Sequence, residues 1–175
     1  VELGLQTADA RSAAFIRRGY PLSVFTQAVY ALAEHNIPVV VHIILGLPGE
    51  SRETVLRTID YLNRLPIQGV KLQLLHVLSD SDLADLYRAG EYTPLKKEEY
   101  LTLVGDCIAH LRADIVLHRL TGDGDKNTLL APLWSLRKRD VLNRLHRYLK
   151  ENHIRQGMSC KIDRSVIYNK PKDVL

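Results

Sequence analysis

Short apolar runs alternate with amphipathic stretches along the first 120 residues of the chain. Four apolar runs have the length of a buried strand: Val1–Leu5, Val39–Leu45, Val70–His76 and Asp114–Leu120. The stretches between them place apolar residues at helical spacing, over Leu22–His35, Arg52–Leu65 and Lys96–Leu111. Ser51 precedes the second stretch and is its predicted N-cap. This alternation predicts an α/β fold of successive βαβ units around a parallel sheet.

The predicted sheet has about four strands, which is too few to close a barrel. Right-handed crossovers would curl the units into a partial barrel, so we predict half of a TIM-type βα barrel. Open edges of a parallel sheet leave backbone N–H and C=O groups unpaired. We therefore expect a missing N-terminal half of the barrel or a second chain to cover them. Val1 already lies inside a strand pattern, so we expect the natural polypeptide to begin upstream.

A different organisation follows the fourth predicted strand. Residues 122–124 predict a tight turn, and Ser135 is placed to cap a helix from about residue 136 to 152. One face of that helix is basic and carries Arg137, Lys138, Arg139, Arg144, Arg147 and Lys150. We predict three parts: a barrel half over 1–125, a helical extension with a basic helix over 126–157, and a tail over 158–175.

Polar residues share one face of three predicted strands. Glu2 and Gln6 point to the same side of the first strand, because side chains alternate along a strand. His42 in the second strand, and Lys71 with Gln73 in the third, continue this polar face. Burying an unpaired carboxylate is costly, so we expect these residues to line one polar lumen.

A glycine-rich loop, Gly46-Leu47-Pro48-Gly49-Glu50-Ser51, joins the second strand to the next helix. Glycines let the backbone approach a ligand, and free N–H groups at a helix start favour a polar or anionic group. Ligands in parallel sheets lie at the carboxyl ends of strands, where this loop is placed. A simple strand–helix turn is the alternative interpretation.

Gln6 and Arg18 form a second candidate site. Gln6 ends the first strand, and Arg18 ends the short helical segment that follows. An amide and a guanidinium can hold a carboxylate and hydroxyl groups, because the guanidinium gives planar two-point recognition. The alternative for Arg18 is a cation that interacts with a helix C-terminus.

Composition narrows the possible classes of protein. Hydrophobic residues are 46% and charged residues 25%, ordinary values for a globular domain, and no apolar run is long enough to span a membrane. Cys107 and Cys160 are isolated, which excludes a four-thiolate metal site within one chain and suits a reducing cytoplasm. The net charge of +4 permits a polyanionic partner such as RNA.

Several polar residues leave alternatives open. Three histidines lie in or at the end of predicted strands: His42, His76 and His118. They are hydrogen-bonded core residues, substrate contacts or a three-histidine metal site, and we predict no metal site. Arg119 and Asp123 have turn and core roles or contact substrate. Trp134 packs in the core or stacks on a base.

Several strings resemble radical S-adenosylmethionine (SAM) enzymes related to the Elongator tRNA acetyltransferase catalytic subunit and to oxygen-independent coproporphyrinogen oxidase. Val1-Glu2-Leu3-Gly4-Leu5-Gln6-Thr7, followed by Arg17-Arg18-Gly19, is similar to their fourth strand and helix. Ile44-Leu45-Gly46-Leu47-Pro48-Gly49-Glu50 resembles their fifth-strand motif, which contacts adenine, and residues 74–78 resemble the sixth strand. Residues 119–124 and 131–135 resemble an Elongator-like family of the YhcC type. The resemblance covers roughly residues 1–150.

The resemblance implies a SAM site at the strand ends. Gln6 and Arg18 would hold the methionyl carboxylate and the ribose, Glu2 would line the same pocket, and two apolar residues would border adenine. The implied cofactor-binding residues are Glu2, Gln6, Arg18, Ile44, Gly46 and Leu75. We expect substrate contacts from His42, Gln73, His76, Arg119 and Asp123.

The chain departs from the family pattern in two places. The family binds a 4Fe–4S cluster through C-x-x-x-C-x-x-C, and the cluster reduces SAM to a 5′-deoxyadenosyl radical that abstracts hydrogen from substrate. This motif is absent, so we expect the cluster only in the intact parent protein and no radical chemistry from this chain alone. Ser79-Asp80-Ser81-Asp82 replaces a Gly-Thr-Pro-like turn and adds two carboxylates at the substrate mouth.

Three hypotheses of function follow from the sequence. The first is the SAM-binding half of a radical SAM enzyme in the cytoplasm that modifies the wobble uridine of tRNA. The second is a non-enzymatic nucleic-acid-binding module that uses the basic helix. The third is a cofactor-free barrel enzyme with its site between two half-barrel chains.

Overall fold

Four parallel strands form the main sheet of the molecule. A computed structural model describes residues 1–162, and its strands are β1 (Glu2–Gln6), β2 (Val40–Leu45), β3 (Gly69–Leu74), β4 (Val77–Leu78), β5 (Val116–Arg119) and β6 (Leu129–Ala131). The main sheet has the order β1–β2–β3–β5, with every neighbouring pair parallel. This topology confirms the predicted α/β class and the partial βα barrel.

Six helices connect and cover the strands: α1 (Ala10–Phe15), α2 (Leu22–Glu34), α3 (Arg52–Leu62), α4 (Asp82–Arg88), α5 (Lys97–His110) and α6 (Lys138–Glu151). Helices α2, α3 and α5 are the three that the sequence predicts between strands. The Ser51 side chain accepts from the Thr54 amide at 3.3 Å, which confirms its predicted role as N-cap of α3. Within residues 1–162, no helix combines the length and apolarity that a membrane crossing requires.

One hydrophobic core lies between the sheet and its helices. In β2 every second residue is fully buried, namely Val41, Ile43 and Leu45. They pack in one cluster with buried residues of α3 and α5, such as Ile59 and Val104. The alternate residues of β2 point to the opposite face and are only partly buried. The helices therefore cover one face of the sheet, and the other face carries the candidate site.

The third predicted strand, Val70–His76, extends beyond the strand in the structure. β3 ends at Leu74, and the chain then turns so that β4 pairs antiparallel with β6 in a small second sheet. This sheet has its own apolar cluster, which contains Val77, Ala84, Tyr92 and Ala131. His76 thus lies in the connection between two sheets and not within a strand.

Ser135 does not cap the last helix, which corrects the prediction from the sequence. A 3-10 turn spans Leu133–Leu136, and α6 begins after it at Lys138. The Ser135 hydroxyl instead donates to the Pro132 carbonyl at 2.8 Å. The division into three parts stays a prediction, and most of the predicted tail lies outside the described residues.

Candidate functional site

Polar side chains from three neighbouring strands meet on the uncovered face of the sheet. Glu2 forms an ion pair with Lys71, and its second carboxylate oxygen lies 2.7 Å from His42 Nε2. Gln73 Nε2 donates to His42 Nδ1 at 2.9 Å, so Nε2 carries the ring proton and donates to Glu2. The hydrogen bonds from Lys71 and His42 lower the pKa of Glu2. We call these four residues the polar wall, and they lie together as the alternation predicts.

The end of β1 departs from regular strand geometry. The register with β2 shifts between Gly4 and Gln6, and Gln6 has a φ of 61°. This left-handed conformation folds the Gln6 side chain back over Gly4, where a Cβ atom would collide with the Gln6 amide. A glycine at position 4 therefore makes room for the amide of Gln6.

Arg18 anchors the same strand end through its guanidinium. Nη1 donates to the carbonyls of Leu5 (3.1 Å) and Thr7 (2.7 Å), and Nε donates to the Tyr20 carbonyl at 3.1 Å. The Tyr20 hydroxyl donates to the Gly4 carbonyl. α1 ends at Phe15, so Arg18 does not end a helix as the sequence predicts. Among residues 1–162 nothing accepts from Arg18 Nη2, which leaves one edge of the guanidinium for a ligand.

These residues enclose a cavity of about 370 Å³ that we call the β1 pocket, lined by Gly4, Gln6, Ile16, Arg18, Tyr20 and Ile44. Gln6, Arg18 and Ile44 are thus brought together as the sequence predicts. Glu2 lies outside the lining and belongs to the polar wall. The pocket combines an amide, a guanidinium edge and an apolar side chain, a donor set that suits a ligand with a carboxylate or hydroxyls beside a flat apolar part.

A second cavity of about 540 Å³ adjoins the β1 pocket, and Ile16 lines both. We call it the apolar cavity because most of its lining is aliphatic or aromatic, including Phe15, Leu47, Leu75, Leu83 and Leu86. Its polar lining includes Arg17 and Asp82, which form a 2.5 Å ion pair between the segment after α1 and the start of α4. Asp82 belongs to the Ser-Asp-Ser-Asp segment that departs from the family pattern, so that departure lies at this cavity.

His76 also lines the apolar cavity and is held from the opposite side. Its Nε2 lies 3.0 Å from Ser135 Oγ, and because the Ser135 proton goes to Pro132, His76 is the donor. A Cβ at Gly122 would lie 2.6 Å from the imidazole, so the turn after β5 fits the ring closely. Burial lowers the pKa of His76, and the nearby Asp123 carboxylate partly opposes this shift.

The glycine-rich loop is packed against its surroundings. Gly46 has a φ of 93°, and its carbonyl accepts from the Tyr92 hydroxyl at 2.8 Å. Gly46 lines neither the β1 pocket nor the apolar cavity. The Glu50 carboxylate accepts from Thr7 Oγ1, and burial raises the pKa of Glu50. The loop therefore supports the end of β1 from the side.

Arg119 and Asp123 form an ion-paired cluster with Lys138. Asp123 accepts from Lys138 Nζ at 2.7 and 3.0 Å, and Arg119 lies 3.6 Å from Asp123. The hydrogen bond from Lys138 lowers the pKa of Asp123. Neither residue lines the two cavities, so the structure separates them from Gln6 and Arg18.

Comparison with protein families decides the class of the chain. A model of the radical SAM superfamily matches residues 1–62, and a model of the radical SAM C-terminal domain matches residues 67–151. The chain belongs to the radical SAM superfamily. The boundary between the two matches falls in the connection between α3 and β3.

Two curated relatives match most of the chain. The chain is 35% identical over 157 residues to YtqA of Bacillus subtilis, which covers 90% of this chain and 49% of YtqA. It is 31% identical over 154 residues to YhcC of Escherichia coli, which covers 88% of this chain and 50% of YhcC. The chain therefore spans about half the length of these curated relatives.

Two further comparisons are more distant. A tRNA uridine(34) acetyltransferase of Methanocaldococcus jannaschii is 21% identical over 164 residues, covering 92% of this chain and 29% of that protein. The structure of Methanocaldococcus infernus Elp3 superposes with a TM-score of 0.77 at 18% identity, covering 89% of this chain and 37% of that chain. The Elp3 structure confirms the fold.

The described thiols do not fit a radical SAM cluster. Cys107 is fully buried, which raises the pKa of its thiol, and Cys160 lies next to Asn63. Within residues 1–162, no three His, Cys, Asp or Glu side chains are grouped as metal ligands. His42 and His76 are engaged by Gln73 and Ser135, respectively.

Sequence reasoning missed several residues that line the two cavities. Tyr20 and Ile16 line the β1 pocket, and Arg17 pairs with Asp82 beside the apolar cavity. All three come from or flank the loop between α1 and α2, whose path has no periodic signal. Arg17 and Gly19 have left-handed φ values of 52° and 80°. A Gly-Tyr-Pro string at 19–21 marks the turn, but not the direction in which Tyr20 points.

Proposed function

We propose that this chain is the SAM-binding half of a radical SAM enzyme that modifies tRNA. The observation that carries the proposal is the β1 pocket, which gathers Gln6, Arg18 and Ile44 at one edge of the parallel sheet. Ligands of βα barrels bind at the carboxyl ends of the strands, where Gln6 is the last residue of β1. Family membership supports SAM as the ligand.

Each residue of the pocket has a distinct part in this proposal. The Gln6 amide and the Arg18 Nη2 edge would bind the carboxylate and ribose hydroxyls. The Gln6 nitrogen donates to the Leu5 and Gly4 carbonyls, so Gln6 offers its amide oxygen to a hydroxyl, and Arg18 offers a donor. Ile44 would contact the adenine by apolar packing, with Leu75 of the adjoining cavity on its other side. When bound in the intact enzyme, the cluster supplies the electron that splits SAM.

The tRNA substrate is supported by similarity to proteins named tRNA uridine(34) acetyltransferase. Wobble-uridine modification and a cytoplasmic location are therefore part of the proposal. Within residues 1–162 no group of side chains could hold the iron–sulfur cluster, so we also propose that this chain alone has no radical activity. The whole enzyme would need the segment that carries the cluster ligands, which would also cover the edge of β1.

A non-enzymatic nucleic-acid-binding module is the second candidate. Basic side chains of α6 favour it, since some of them have no acidic partner among residues 1–162. A module that binds nucleic acid through α6 does not require the pocket that contains the Gln6 amide and the Arg18 guanidinium edge. SAM binding therefore separates the two candidates.

Titration calorimetry of the full chain with SAM tests the enzyme proposal. We expect weak binding, because the cluster normally anchors the methionyl amine and carboxylate, and a further loss of about tenfold or more in Gln6→Ala and Arg18→Ala. Gln73→Ala is the matched control, since it removes an amide from the polar wall outside the β1 pocket. SAM affinity that is the same in all four proteins would refute the proposed site, provided that thermal melting shows folded variants.

A further inference from the structure

The cations of α6 divide into two groups along the helix. Toward its start, Lys138 pairs with Asp123, and Arg144 lies 3.3 Å from Asp140 and 3.6 Å from Glu98. Lys97 of α5 adds a 3.0 Å contact to Asp140. Lys138 and Arg144 are therefore neutralised within the molecule, whereas Arg137 and Arg139 are exposed and make no ion pair with residues 1–162.

The opposite end of α6 carries cations with no such partners. Arg147, Lys150 and Arg155 make no side-chain hydrogen bond or ion pair with any residue in the described range 1–162. All three are exposed, and Arg155 lies beyond the end of the helix. We call these three residues the C-terminal basic cluster. Attraction to the helix C-terminus accounts for a cation such as Lys150, but not for Arg155.

Two adjoining surface grooves run between these residues, each of about 570 Å³. One groove is lined by His146, Arg147, Lys150, Glu151 and His153. The other is lined by Leu149, Lys150, His153, Ile154 and Arg155. Lys150 and His153 belong to both, so the grooves are continuous. Glu151 is the only carboxylate in either lining, against three permanent cations.

The segment that carries Arg155 is held in place by α5 and by the connection from α5 to β5. Gly157 and Ser159 donate backbone hydrogen bonds to Ile108 and Ala109 at 3.2 and 2.8 Å. The Gln156 amide donates to the carbonyls of Arg112 and Ile115 at 2.8 and 2.7 Å. The basic cluster is thus a fixed surface, and binding a partner there would cost little ordering of the backbone.

The apolar residues of the grooves do not offer a site for an apolar partner. Leu149 and Ile154 pack against the core, and Ile154 lies close to Gly105 of α5. A surface that presents charge on a fixed backbone, with its apolar side chains turned inward, matches the phosphate chain of a nucleic acid better than a membrane, which favours inserted apolar side chains.

We propose that the C-terminal basic cluster binds the phosphate backbone of RNA. This inference rests on the proposed function only in taking RNA as the partner, and it assigns the contact to Arg147, Lys150 and Arg155. The ion-paired cations Lys138 and Arg144 lie outside the contact. The three cations would displace counterions condensed on the phosphate backbone of the RNA, so binding depends on salt concentration.

Fluorescence anisotropy with a labelled, unmodified tRNA transcript over a series of NaCl concentrations tests this assignment in the full chain. For Arg147→Ala/Lys150→Ala we expect a shallower plot of the log of the association constant against the log of salt concentration, with the magnitude of its slope lower by roughly 1.5. Affinity near 0.15 M salt should fall by about 10- to 30-fold. The matched control, Lys138→Ala/Arg144→Ala, removes the same net charge from the same helix and should leave the slope unchanged.

Three results would overturn the assignment. An equal loss of tRNA affinity in both double variants would mean that tRNA responds to net charge alone. No loss of affinity in either variant would place the contact elsewhere. Vesicles that contain phosphatidylserine form a further arm: binding of the vesicles, but not of tRNA, that requires Arg147 and Lys150 would identify a membrane surface instead. SAM calorimetry on the same variants separates a failure of this assignment from a failure of the proposed SAM site. SAM affinity should be unchanged in both double variants, because the basic cluster is not part of the β1 pocket.

Discussion

The hydroxyl of Thr7 donates a hydrogen bond to the carboxylate of Glu50 across 2.5 Å. Thr7 is buried directly after β1, and Glu50 lies in the loop after β2, so the bond joins the ends of two neighbouring strands. Thr58 of α3 supports the same point by accepting from the Ala8 amide at 3.0 Å. The chain around the β1 pocket is therefore held by side chains that do not line the pocket.

Glu50→Gln tests the effect of burying this carboxylate. Burial raises the pKa of Glu50, so the folded state binds the proton more tightly than the unfolded state does. By linkage, its contribution to stability is present at low pH and is lost as pH rises through the window above 4.5. We expect Glu50→Gln to gain stability relative to the wild type as pH rises, measured by urea unfolding at several pH values.

Glu91→Gln is the matched control for this substitution, because Glu91 is exposed. Its stability relative to the wild type should stay flat over the same pH range. A Glu50→Gln curve that runs parallel to the wild type would show that the carboxylate is solvated in the protein.

Glu2→Gln should have the opposite pH dependence. Hydrogen bonds from Lys71 and His42 lower the pKa of Glu2, so its contribution is present above 4.5 and disappears as pH falls through the lowered value. We expect thermal melting to show a less stable variant at neutral pH and equal stabilities in acid. A difference that persists in strongly acidic buffer would contradict a role for the carboxylate charge.

Gly122→Ala is expected to destabilise the protein by about 1–3 kcal/mol through overpacking. The new methyl group would lie 2.6 Å from the His76 ring and 3.1 Å from the Leu74 carbonyl. His76→Ala in the same chain should recover part of the loss, because the ring is the nearest obstacle. Chemical unfolding of the two single variants and the double variant measures the coupling, and strict additivity would rule out this contact.

Arg112→Met removes a buried guanidinium that is hydrogen-bonded to several groups of the protein. Arg112 is 5% exposed, and its guanidinium donates to the Asn63 carbonyl at 2.6 Å and pairs with Asp114 at 2.9 Å. We expect a loss of about 2–4 kcal/mol in the free energy of unfolding, because these acceptors lose their donor. Arg64→Met, at an exposed position, should change stability by less than about 0.5 kcal/mol.

The periodic signals predicted the central sheet and its main helices correctly. β2 has a continuous apolar pattern with every second residue fully buried, and its ends in the structure differ by one residue at most from the prediction. The polar wall followed from alternation alone, since Glu2, His42 and Lys71 each occupy a regular strand position. Elements with regular geometry can be predicted from the periodicity of their apolar residues.

The parts that the sequence missed depend on irregular backbone. Gln6 reaches the β1 pocket through a left-handed conformation, and no local pattern distinguishes that bulge from a straight strand. The apolar run Val70–His76 predicts one strand, yet β3 ends at Leu74 and His76 lies in the connection to β4 of the second sheet. Ion pairs such as Arg17–Asp82 join residues 65 positions apart and depend on tertiary packing.

Ile16 lines both the β1 pocket and the apolar cavity. Two chemical groups bound on either side of it would not be independent, because any rotation of that one side chain changes the lining of both spaces. Trimming it to alanine would remove part of both linings at once, so the fit of whatever occupies the first would then depend on what fills the second.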